Sequence, residues 1–98
     1  MGGNALKHLS VQRISAKEYY PLVDSVCELF FQMFQQQATP IKSYATKPDF
    51  GDVDLLIVAQ ELPPNWRELL AAYFNSRGYV LNGDVTSMEI HNVQFDFI

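Results

Sequence analysis

The residues best suited to do chemistry in this chain are two aspartates on one short apolar run, Gly51-Asp52-Val53-Asp54-Leu55-Leu56-Ile57-Val58. Side chains two apart on a strand point to the same face, so Asp52 and Asp54 are expected to project side by side from the start of a strand. Like charges at that spacing repel unless something positive lies between them. A pair of hard oxygen ligands suits Mg²⁺, which keeps several waters and commonly takes only one or two carboxylates together with substrate phosphates. Mn²⁺ is an acceptable substitute. A third aspartate, Asp96, lies in Val93-Gln94-Phe95-Asp96-Phe97-Ile98, an alternating pattern in which a charge is out of place unless it faces a site. If that strand lies beside the first, Asp52, Asp54 and Asp96 complete a two-metal constellation. One ion then holds a triphosphate and the other activates an attacking hydroxyl. Two other readings stay open: an exposed strand start where neighbouring acids cost little, and a metal bound purely for stability.

The elements that must position these acids are legible from periodicity. Tyr19, Leu22, Val23, Val26, Phe30, Met33 and Phe34 recur at three- and four-residue spacings, predicting a helix that reaches about Gln36. Ser15 with Glu18 makes a capping box for its start. Pro21 requires either a kink or a later start with the proline in the first turn. Residues 41–47 read as extended and Pro48-Asp49-Phe50-Gly51 as a turn. Val53 to Val58 reads as a central strand buried on both faces. A second helix follows, with Pro63-Pro64 at its start, Gly78 just past its end, and Trp66, Leu69, Leu70, Tyr73 and Phe74 as its core stripe. Tyr79 to Leu81 then leads through Asn82-Gly83-Asp84, a hairpin signal, to Val85–Ile90, and His91-Asn92 makes a second tight turn into Val93–Ile98. The expected fold class is α+β, a mixed sheet of about four to five strands backed by two helices.

The segment Lys42-Ser43-Tyr44-Ala45-Thr46-Lys47-Pro48-Asp49-Phe50-Gly51-Asp52-Val53-Asp54-Leu55-Leu56-Ile57 resembles the signature of the DNA polymerase beta-like nucleotidyltransferase superfamily. There a Gly-Ser pair precedes an acidic-hydrophobic-acidic triplet by some ten residues. Ser43, Tyr44, Gly51, Asp52 and Asp54 match that pattern, and Asp96, between hydrophobic residues on a later strand, resembles the family's third carboxylate. The resemblance implies a catalytic palm that transfers a nucleotidyl group from an NTP to a hydroxyl acceptor on a nucleic acid, a protein or a small molecule. It implies two Mg²⁺ ions, with Asp52 and Asp54 on both, Asp96 on the one that activates the acceptor, and Ser43 at the nucleotide's phosphates. Lys42 and Lys47 are candidates for phosphate charge, since Lys42 stands where the family has glycine and Ala45 and Thr46 where its polymerase branch has arginines. The alternative is a non-catalytic interaction or antitoxin-like module with the same fold.

Composition narrows the rest. With 98 residues, 48% of them hydrophobic and 18% charged, one globular domain is expected and a disordered chain is excluded. Because palms of this family normally carry further elements, the resemblance implies a fragment of a longer protein or a chain acting with a missing C-terminal domain or partner. The net charge of −4 argues against non-specific adhesion to nucleic acid or anionic membrane. There is no stretch of about 20 apolar residues and no secretory pattern at Met1-Gly2-Gly3, so a cytoplasmic protein is expected, with no membrane partner. His8 and His91 are isolated and make no zinc pattern, and the single cysteine, Cys27, falls by an apolar helix face as an inert thiol.

Overall fold

The computed structural model describes Leu6 and residues 11–41, 49–50 and 52–98. Helix α1 spans Ala16–Phe34. Its predicted stripe is its buried face: Tyr19, Val23, Val26 and Phe30 are in the core, with Leu22, Met33 and Phe34 packed against it. Ser15 is the N-cap, in extended conformation, but its hydroxyl donates to the Glu18 carboxylate (3.0 Å) instead of accepting from the helix backbone. Pro21 neither delays nor ends the helix. It sits on an exposed part of the second turn, where the carbonyl deprived of its partner, that of Lys17, is on an exposed residue. Gln35 stops the helix in the left-handed region (φ 59°), its N–H donating to the Phe31 carbonyl.

Five strands form a mixed open sheet: β2 (Thr39–Pro40), β4 (Asp52–Leu56), β5 (Tyr79–Asn82), β6 (Val85–Ile90) and β7 (Val93–Phe97). Their order is β2-β4-β7-β6-β5, and β4·β7 is the parallel pair. A separate two-stranded ribbon joins β1 (Ile14–Ser15) to β3 (Asp49–Phe50). Asp49 and Phe50, expected in a turn, are therefore paired strand. Their partner lies more than thirty residues back, beyond the reach of a local turn signal. Of the segment expected to be extended, residues 42–47 lie outside the described residues.

Strand β4 departs from expectation in an informative way. It begins at Asp52, and burial alternates along it: Val53 and Leu55 are fully buried while Leu56 is 47% exposed. It is buried on one face, not both. The strands buried throughout are β6 and β7. Two tight turns connect β5, β6 and β7. Gly83-Asp84 carries its glycine first, at φ 62°, and His91-Asn92 has positive φ at both positions, as a type I′ turn requires. The first loop is thus one residue later than an Asn-Gly turn would place it.

Helix α2 spans Trp66–Phe74, after a 3-10 turn at Ala59–Glu61. It stops at Asn75 (φ 52°), three residues before Gly78, because asparagine tolerates the left-handed conformation that ends a helix. Only part of its predicted stripe is core. Trp66 and Leu70 are buried and Phe74 is half-buried, but Leu69 and Tyr73 are exposed, since nine residues offer one narrow seam to the sheet. The rings of Phe30, Trp66 and Phe97 meet at 5.7–6.4 Å and tie α1, α2 and β7 together on one face of the sheet. Among the described residues, no helix is long and apolar enough to cross a membrane.

This packing predicts unequal costs for two truncations in urea unfolding. Phe97→Ala should lose about 3–5 kcal/mol, the range for emptying a buried aromatic site. Leu69→Ala should lose less than about 1 kcal/mol, as at most surface positions.

Candidate metal centre

The alternation of β4 puts Val53 and Leu55 into the core and Asp52 and Asp54 on the opposite face. Strand β7 does the same: Phe95 and Phe97 face the helices, whereas Gln94 and Asp96 share the face of the acids. Parallel pairing sets Asp52 opposite Gln94 and Asp54 opposite Asp96. Adjacent strands lie roughly 4.8 Å apart, so matched residues on one face are neighbours. One carboxylate oxygen from each of Asp52, Asp54 and Asp96 lies within 4.8 Å of the other two. The structure thus brings together the three carboxylates singled out in the sequence. Ser43, Lys42 and Lys47 lie outside the described residues.

The third row of this face comes from β6. Ser87 is the register partner of Asp96, and its hydroxyl donates to Asp96 Oδ1 at 2.7 Å. The Gln94 amide donates to the same oxygen at 2.9 Å. Asp96 is fully buried, and its other oxygen, Oδ2, accepts no hydrogen bond. On the outer side of β4, Ile41 donates its N–H to the Asp54 carbonyl (3.0 Å), so Ile41 stands beside Asp54 where β2 leaves the sheet.

Electrostatics follow from this placement. Burial is the main cause that pushes the Asp96 carboxyl up from 3.8 to about 7. A hydrogen bond with the Asp52 carboxyl and the charge of Asp52 push in the same direction, and the hydrogen bonds from Ser87 and Gln94 pull back only in part. A buried acid next to like charge has two remedies, to keep its proton or to share a cation. Oxygen ligands without sulfur or imidazole belong to hard divalent ions of the Mg²⁺, Mn²⁺ and Ca²⁺ class. The three carboxylates fit such an ion on two counts: their mutual distance and the buried Oδ2 of Asp96, which meets no protein donor.

No family model, curated protein or solved structure matches this chain. The functional reading is carried by the site itself.

Two residues of this site escaped the sequence reading. Gln94 was detectable, being two positions before Asp96 on the same strand and therefore on its face. Ser87 was not, because nothing local states that β6 pairs with β7 in the register that puts it opposite Asp96. Glu89 is a third buried polar residue on this face, with a structural task. It accepts from the backbone N–H groups of Arg77 and Asn92 (2.7 Å each), which ties the His91-Asn92 turn to the entry of β5. His91 is exposed at that turn, its ring 5.9 Å from Phe74. The Cys27 thiol is half-buried, and burial with the nearby Asp24 raises its pKa, the direction that makes a thiol less reactive.

The raised Asp96 value fixes the sign of a pH effect. Between about pH 4 and pH 7 the folded chain holds a proton that the unfolded chain has released. Stability from this group is therefore complete below the unfolded value and lost as pH rises through about 7. In metal-free buffer the melting temperature should fall by on the order of 10 °C from about pH 5 to about pH 8. Asp96→Asn should remove most of that slope, since its amide still offers an oxygen to Ser87 and Gln94. Millimolar Mg²⁺ should restore wild-type stability at the higher pH by favouring the ionised carboxylates.

Proposed function

We propose that this chain is the metal-binding palm of a nucleotidyltransferase. The observation that carries the reading is the in-register parallel pairing of β4 with β7, which sets Asp96 beside an Asp-x-Asp pair. Three carboxylates on adjacent strands, on the sheet face opposite the helices, are the ligand set that two-metal phosphoryl chemistry uses. The motif around Ser43, Gly51, Asp52 and Asp54 supports the same class.

In this reading Asp52 and Asp54 would hold both Mg²⁺ ions, and Asp96 would hold the one that activates the acceptor hydroxyl. Bound there, the ions would supply positive charge to the phosphate oxygens and lower the pKa of the acceptor hydroxyl. In the reaction itself the acceptor oxygen bonds to the α-phosphorus of an NTP. The bond from that phosphorus to the α,β-bridging oxygen breaks and pyrophosphate leaves, while the hydroxyl proton passes to solvent or to a carboxylate. Ser43, Lys42 and Lys47 are the proposed contacts to the triphosphate. The acceptor in this reading is a nucleic acid, a protein or a small molecule, held by a further domain or partner.

A calorimetric titration tests the assignment: Mg²⁺ with a non-hydrolysable NTP into this chain, repeated on Asp52→Asn/Asp54→Asn. Metal-dependent nucleotide binding is expected in the wild type. The double variant should weaken it by at least about 100-fold, because loss of outer-shell partners alone costs 10–100-fold. Binding of equal strength in both proteins would sink the assignment. No nucleotide binding by either would favour the non-catalytic module.

A further inference from the structure

Which ion a carboxylate site prefers depends on how many oxygens each carboxylate has left to offer. Ca²⁺ takes about 6–8 oxygens, often chelating with both oxygens of one carboxylate. Mg²⁺ takes six in near-ideal octahedral geometry at about 2.0–2.1 Å and prefers single oxygens and water. Asp96 has one oxygen engaged by two neutral donors, and the carboxyl also shares a hydrogen bond with Asp52. Its Oδ1 accepts from Ser87 (2.7 Å) and Gln94 (2.9 Å), two donors that saturate an oxygen with two lone pairs. Its Oδ2 is buried and meets no donor.

The two donors are held tightly. Ser87 is directly opposite Asp96 on β6, Gln94 shares its strand and face, and each is at most 1% exposed. Neither can swing to solvent in exchange for its bond. The side-by-side strands thus clamp one edge of the carboxylate, and one Asp96 oxygen lies within 4.8 Å of an oxygen of Asp52 and of Asp54.

We propose that Ser87 and Gln94 are positioning residues that confine Asp96 to one-oxygen coordination, and thereby bias the centre towards Mg²⁺ and Mn²⁺ and against Ca²⁺. This inference rests on the metal-centre reading above. It adds what that reading lacks, a reason for the choice of ion.

The test measures affinity for Mg²⁺, Mn²⁺ and Ca²⁺, each as the salt alone, by calorimetry. The proteins are the wild type, Ser87→Ala, Gln94→Leu and Ser87→Thr, with metal-free melting temperature as a control. Wild type should prefer Mn²⁺ and Mg²⁺ to Ca²⁺. Ser87→Ala and Gln94→Leu should each shift the Ca²⁺/Mg²⁺ affinity ratio towards Ca²⁺ by about tenfold, within the range of second-shell effects on metal sites. Ser87→Thr, which keeps the hydroxyl, should restore the wild-type ratio. A purely structural role would lower the metal-free melting temperature and leave the ratio unchanged, which overturns the inference while the metal centre stands. If the wild type binds none of the three ions, the metal-centre reading fails and takes the inference with it.

A readout on the wild-type protein covers the case in which the variants do not fold. In infrared difference spectra with Mg²⁺, the carboxylate bands that disappear in Asp96→Asn should show the wide antisymmetric–symmetric splitting of one-oxygen coordination. The narrow splitting of a chelating carboxylate would overturn the proposal.

Discussion

Everything else in this molecule depends on the parallel ladder between β4 and β7. Parallel neighbours cannot be joined by a tight turn, so the chain must leave β4, build α2 and the β5–β6 hairpin, and return. The ladder runs past the ends of both strands: Ile57 donates to the Ile98 carbonyl (3.0 Å), and Ile98 donates to that of Leu55 (2.8 Å). Its register is held from the opposite face. Val53, Leu55, Phe95 and Phe97 are all in the core, and a slip of one residue in either strand would turn the acids into it and the aromatics out. The hydrophobic core thus acts as the jig that places the carboxylates, although none of its members carries one.

The acidic face runs against the usual economy of folding. Fully buried carboxylates are rare without a partner, yet Asp96 is as inaccessible as the phenylalanines flanking it. Serine and glutamine donors offset part of the cost, and proton retention, at a pKa near 7, offsets another part. Glu89 shows the contrasting solution two strand positions away. Two backbone donors and the Arg77 guanidinium 3.7 Å away satisfy it, so it serves as a fastener. What sets Asp96 apart from Glu89 is the company of two further aspartates, one of which, Asp52, shares a hydrogen bond with it.

Legibility in the sequence followed the range of the interactions involved. Helix α1 was readable because seven apolar residues repeat its period, and its stripe is its buried face. The β6–β7 turn was readable from two residues that tolerate positive φ. Short-range chemistry also identified the Asp-x-Asp pair and the misfit of Asp96 among hydrophobic neighbours. Errors arose where a local pattern had two tertiary outcomes. The apolar run after Asp54 suited a strand buried on both faces, but Leu56 falls on the face of the acids, opposite the helices, and is exposed. The stripe of α2 looked like five core residues, but a nine-residue helix buries only part of it. Asp49 and Phe50 have turn-like neighbours, yet they pair with residues far back in the chain.

By itself, the amino-acid sequence determined the α+β class, the main helices and strands, and the identity of three acids suited to one another, because propensity, periodicity and ligand chemistry are properties of neighbouring residues. Only the tertiary structure decided that those acids meet. Asp54 and Asp96 are separated by an entire helix and two strands, and their contact exists because backbone pairing between β4 and β7 is settled by core packing. The same holds for Ser87, an ordinary strand serine until β6 pairs with β7 and sets its hydroxyl against one oxygen of Asp96.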